Sequence, residues 1–119
     1  EMPGINDIRE SSIKIKFDIV NTDHFDIMSD KVVFMDYGAI EHPLEIRNVR
    51  PGDRIQPLGM NGTKKIKDFF IDAKIPQGAR NRIPLLVDRK SVLWIVGMKL
   101  SNRVRVTDIT EKLVKAQII

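Results

Sequence analysis

Cysteine is absent from the 119 residues, which excludes disulfides and thiolate metal sites and fits a reducing compartment. Aromatic residues are scarce at 6%, too few for the stacked side chains on which proteins hold single-stranded nucleic acid. No apolar run approaches the roughly 18 residues of a membrane span; "IPLLVD" and "VLWIVGM" are strand-sized. No stretch of these residues reads as a signal peptide, and repeats and low-complexity segments are missing. Catalytic constellations are missing too. No serine is accompanied by a histidine and aspartate arrangement, and the carboxylates lack the desolvated context of an acid–base pair. The two histidines, in "TDHFD" and "IEHPLE", do not form a metal-ligand pattern such as H-E-x-x-H and read as surface residues.

What remains is one domain's worth of ordinary globular composition, 42% hydrophobic and 30% charged, taken as a single unit over residues 1–119. A chain opening on Glu1 is expected to be a piece of a larger protein. Net charge is +4, but its distribution is uneven. Residues 1–46 carry ten acids and four bases, and residues 47–119 carry six acids and sixteen bases. Such asymmetry points to a basic face aimed at an anionic partner. The competing reading is a solvated surface whose charges happen to segregate along the chain.

Hydrophobic periodicity gives an α+β domain, β-rich and mostly antiparallel. Ser11–Val20 alternates Ile13, Ile15, Phe17 and Ile19 with polar residues, a strand with one wet face. Lys31–Tyr37 is a more buried strand ended by Gly38, and Pro43–Val49 alternates again. "RPGDRI" (Arg50–Ile55) is a Pro-Gly turn, with Asp53 as a turn-forming residue. One amphipathic helix is predicted over about 63–75, capped by Thr63, with Ile66, Phe69, Phe70 and Ala73 on its apolar face and Pro76 as its stop. "QGARNR" is a short turn or helical bend. "LLVD" and "VLWIV" are buried strands joined by "DRKS", and "NRVRVTD" places Arg103 and Arg105 on one strand face. The tail "EKLVKAQII" reads as strand or helix, with a strand favoured. Phe69, Phe70 and Trp94 are core residues on this reading.

A helix opening at Thr63 would crowd Lys64, Lys65 and Lys67 into its first turn, where the macrodipole disfavours cations. A visiting phosphate would resolve the conflict. Local pairing of Lys65 with Asp68 and of Lys64 with Asp72 is the alternative. "GMNGTKK" lacks the spacing of a nucleotide P-loop and is rejected as one. Lys64, Lys65, Lys67, Arg80 and Arg82 are the first candidates for phosphate contact. Arg47, Arg50, Arg54, Lys74, Arg103 and Arg105 are the second. Together they would track a nucleic-acid backbone without reading its sequence.

The run Pro51-Gly52-Asp53-Arg54, then Lys64-Lys65 with Lys67-Asp68, then Arg80, Arg82 and Pro84-Leu85-Leu86, followed by "VLWIVGMKLSNRVRVTDIT", closely resembles the C-terminal domain of bacterial tRNA(Ile)-lysidine synthetase. The early "MPG" extends the resemblance over nearly the whole chain. Val96 before Gly97, and Asn81, depart from the family's pattern. The resemblance implies a sandwich-like fold similar to a domain of the phenylalanyl-tRNA synthetase beta subunit. It implies a cytoplasmic parent ligase that uses ATP and magnesium to join lysine to the wobble cytidine of isoleucine tRNA. The parent's N-terminal catalytic domain carries a Ser-Gly-Gly-x-Asp-Ser loop that this chain lacks, so the fragment is expected to be inactive alone and to hold no cofactor. On the same resemblance, its role is to hold and discriminate the tRNA, at the acceptor stem. The alternative role is an interaction domain that orients the catalytic part or forms a homodimer.

Overall fold

The structure is a computed structural model that describes residues 4–7, as backbone, and 13–119. Met2, Pro3, Ser11 and Ser12, which figure in the readings above, lie outside the described residues. Alternation in the first half builds a four-stranded antiparallel sheet in the order β1 (Gly4–Asp7), β2 (Lys14–Asn21), β10 (Lys112–Ile118), β3 (Val32–Asp36). The C-terminal tail is therefore a strand, as expected, and a central one. Its register sets the small Ala116 between Phe17 and Val33, so a buried methyl separates two larger neighbours. Ile15 and Phe17 point inward, but Ile19 is exposed, so the alternation of β2 buries only its first half.

The continuous apolar runs build the second sheet: β4 (Glu45–Arg47), β7 (Leu85–Val87), β8 (Val92–Ile95) and β9 (Lys99–Leu100), again antiparallel. The central strands β7 and β8 do not alternate because both their faces are covered. Leu86, Leu93 and Trp94 join Ile15, Phe17 and Val114 in one core between the two sheets. Leu85, Val87, Val92 and Ile95 join Ile55, Ile66 and Phe70 in a second core on the far side. Phe70 and Trp94 are buried, as the sequence predicts, and Phe69 is half-buried.

The predicted helix is shorter and begins later. Helix α1 spans Ile66–Asp72, and no side chain caps it. Lys64 and Lys65 belong instead to a strand, β6 (Lys64–Lys65), paired with β5 (Arg54–Ile55) in a two-stranded ribbon. Thr63 is not an N-cap; its hydroxyl accepts a hydrogen bond from Arg54 Nε at 2.8 Å. Ribbon pairing supplies Lys64 and Lys65 with backbone partners that a frayed helix start would lack. The helix then starts where Ile66 N–H donates to the Asp53 carbonyl at 2.9 Å. It ends before Pro76, with Lys74 in the left-handed region at φ +59° and Ile75 N–H bonded to the Phe70 carbonyl. Ala73, expected on the apolar face, is exposed. The bend at "QGARNR" is a short helix, α2 (Gln77–Arg80).

The strand predicted at "NRVRVTD" does not form. Asn102–Val104 is a 3-10 turn, opened by Ser101, whose hydroxyl accepts the Arg103 N–H. Alternating valines there reflect one buried residue, Val104, with Val106 only partly covered.

Candidate nucleic-acid interface

The Arg50–Asp53 turn organises the basic half of the molecule. Pro51 presets φ for the second position, and Gly52 supplies φ +88° at the third, the geometry of a type II turn closed by Asp53 N–H to the Arg50 carbonyl at 3.1 Å. Asp53 fastens it from below. Its carboxylate takes a forked pair of bonds from the Arg47 guanidinium at 2.8 and 3.0 Å, and the Arg50 N–H at 2.7 Å. Burial alone would raise the Asp53 pKa; the Arg47 hydrogen bonds and the Arg50 N–H outweigh it and hold the carboxyl below its ordinary value. Hydrogen bonding to Asp53 correspondingly raises Arg47 above its own. The turn is thus rigid at its base, and its tip, Pro51 and Gly52, is exposed.

A cleft lies on either side of this turn, and Arg50, Gly52 and Asp53 line both. The first, about 490 Å³, gathers Lys65, Lys67 and Arg80 around a floor that includes Phe70. The second, about 720 Å³, gathers Arg47, Arg54 and Arg103 with Arg89 and Lys90. Three acids also face the second cleft: Glu45, Asp53 and Asp88. Two of them are already spoken for, Asp53 by Arg47 and Asp88 by Arg103.

Seven of the eleven candidates therefore line the two clefts, drawn from segments far apart in sequence, and they differ in availability. Lys65, Lys67, Arg50 and Arg54 are exposed, and Arg80 is half-buried, with its Nε donating to the Ile75 carbonyl at 3.2 Å. Arg103 is a structural fastener. Its guanidinium donates to Ser91 Oγ at 2.9 Å, to the Ala39 carbonyl at 3.0 Å and to the fully buried Asp88 carboxylate. Burial pushes the Asp88 pKa up, but N–H groups of Glu41, Ser91 and Lys90 and the Arg103 side chain bring it below the ordinary value. Arg47 is committed to Asp53 in the same way.

Lys64, Lys74, Arg82 and Arg105 line neither cleft. Lys64 pairs with Asp72 and sits 5.8 Å from the Phe69 ring centre, so one of the two local pairings expected from spacing forms. Arg89 and Lys90 escaped the sequence reading. Their signal was the "DRKS" turn itself: Asp88 accepts the N–H groups of Lys90 and Ser91, which leaves two consecutive exposed cations at the hairpin tip. Both histidines are exposed, as expected. Among the described residues no group of three or more His, Asp or Glu is placed to hold a metal ion. No helix there is long and apolar enough to cross a membrane.

Residues 44–115, which contain both clefts, match the family described as the TilS substrate C-terminal domain. The chain belongs to that family. It is 38% identical over 115 residues to the tRNA(Ile)-lysidine synthase of Clostridium tetani, covering 95% of this chain and 25% of that protein. The chain thus spans about a quarter of the length of the curated relatives it matches. A solved TilS C-terminal domain superposes with a TM-score of 0.85 at 27% identity, over 98% of this chain and 89% of that one. An N-terminal fragment of the phenylalanyl-tRNA synthetase beta subunit from Pyrococcus horikoshii shares the fold, with a TM-score of 0.62 at 18% identity over 73% of this chain and 27% of that one. The sandwich-like, mostly antiparallel architecture expected from the resemblance is the one this TilS C-terminal domain adopts.

Proposed function

We propose that this domain holds tRNA for a tRNA(Ile)-lysidine ligase, gripping the phosphate backbone of the acceptor stem. The supporting observation is the convergence of Lys65, Lys67 and Arg80 with Arg50 in one cleft, and of Arg54, Arg89 and Lys90 with Arg50 in the next. Cations drawn from five separate segments face open solvent there, which suits a polyanion better than any single acidic side chain. Stacking on bases plays little part, because Phe70 is the one aromatic among the cleft-lining residues and it is fully buried. In this reading the ligation of lysine to cytidine, with its ATP and magnesium, belongs to a catalytic domain elsewhere in a cytoplasmic parent enzyme.

Titration of the chain into isoleucine tRNA and its acceptor-stem minihelix, with methionine tRNA as competitor, tests the reading. Salt-sensitive binding to the minihelix with preference for the isoleucine species is expected. Salt-insensitive binding, or none, would instead favour a domain that orients the catalytic part or pairs with a second copy.

A further inference from the structure

The two clefts share one wall, and the wall is the Arg50–Asp53 turn. We propose that this turn enters the minor groove of an A-form RNA duplex, that the two strands' phosphates lie in the two clefts, and that Arg50 reads the groove. The inference rests on the RNA-holding reading above and adds which face of the duplex is met and by which residue.

The duplex geometry dictates the choice. A ridge with a cation-lined trough on each side fits a groove with a phosphate track on each side. In A-form RNA the major groove is deep and too narrow for side chains, whereas the minor groove is wide and shallow and displays 2′-hydroxyls beside the base edges. A short turn reaches such a floor; it needs no protruding helix. The turn has the qualities of a fixed probe. Its base is clamped by the Arg47–Asp53 fork and by the Ile66 N–H bond to the Asp53 carbonyl. Its tip is slim: a Cβ placed on Gly52 would meet nothing within 4 Å, so the apex stands clear of the rest of the domain. Arg50 donates its backbone N–H to Asp53, and among the described residues its guanidinium makes no hydrogen bond, which leaves the fork of donors for a ligand. Lys67 lines one cleft and Arg89 the other, and on this proposal each meets the phosphates of a different strand.

The test compares an RNA duplex with a DNA duplex of the same sequence, binding the 119-residue chain and its variants at two salt concentrations. The wild-type chain should prefer RNA by roughly tenfold, since 2′-hydroxyl contacts distinguish the two. Arg50→Ala should collapse that preference while changing thermal melting little, because the Arg50 side chain makes no internal hydrogen bond and only its charge acts on Asp53. Lys67→Ala and Arg89→Ala should weaken both duplexes by similar factors and each reduce the log–log salt slope by about one unit. Equal affinity for RNA and DNA, or an Arg50→Ala variant that loses both equally, would overturn the groove assignment and leave an electrostatic RNA holder. Absence of binding to either duplex at low salt would overturn the RNA-holding reading itself, and this inference with it.

Discussion

Two aspartates with depressed pKa values separate structural cations from available ones. Asp88 is fully buried as a side chain and Arg103 is its cationic partner, so truncation leaves a charge without compensation. Asp88→Ala should cost about 3–5 kcal/mol, read from denaturant or thermal unfolding. Because the folded-state pKa values of Asp53 and Asp88 are lowered, their stabilisation is present above the unfolded carboxylate range, near pH 4, and is lost as pH falls through the lowered values. The acid limb of the stability curve should therefore flatten in Asp88→Asn. Arg103 sits beside Arg105 in an alternating stretch that suggests phosphate contact, but its donors go to Ser91, Ala39 and Asp88. Accordingly, Arg103→Ala should lower the melting temperature. In contrast, Lys65→Ala and Lys67→Ala should change stability by no more than about 0.5 kcal/mol while weakening RNA binding. Charge was legible in the sequence, but partnership was not, since the 64-residue separation between Ala39 and Arg103 leaves no local mark.

At the scale of elements, alternation and apolar runs located β2, β3, β7, β8 and β10, because those strands owe their form to burial. The misread segments owe theirs to pairing. Lys64 and Lys65 have good helix propensity, yet backbone bonds to Arg54 and Ile55 draw them into a ribbon. That eases the conflict between lysines and the helix dipole without removing it, since Lys67 lies in the first turn of α1 and Lys65 at its N-cap. The helix end is a second case. Lys74 holds a left-handed conformation that glycine adopts without penalty, and it is exposed. Lys74→Gly should stabilise the domain by about 1 kcal/mol, measured by urea unfolding. The side chain lines neither cleft, so RNA affinity should change little. Gly52, at φ +88°, should behave oppositely, and Gly52→Ala should destabilise the turn despite the open space around it.

On the scale of the whole molecule, segregation of charge along the chain becomes segregation in space. The acidic first 46 residues supply three of the four strands of the first sheet, while both clefts draw almost entirely on residues after Glu45. The second sheet contributes to both cores, and its hairpin at 88–91 also meets the acidic half, where Arg89 N–H donates to the Glu41 carbonyl and Glu41 N–H to Asp88. The sense of this asymmetry was legible from sequence; the doubling of the basic surface into two clefts around one turn was not, because it depends on where the hairpin at Arg89 and Lys90 folds back. Amide chemical-shift mapping of the chain with an acceptor-stem minihelix probes this arrangement most directly. Shifts should concentrate at residues 50–53, 64–67, 77–80 and 88–91, weaken as salt rises, and spare residues 22–30. Shifts centred on residues 22–30 or around Ile109, unaffected by salt, would contradict it.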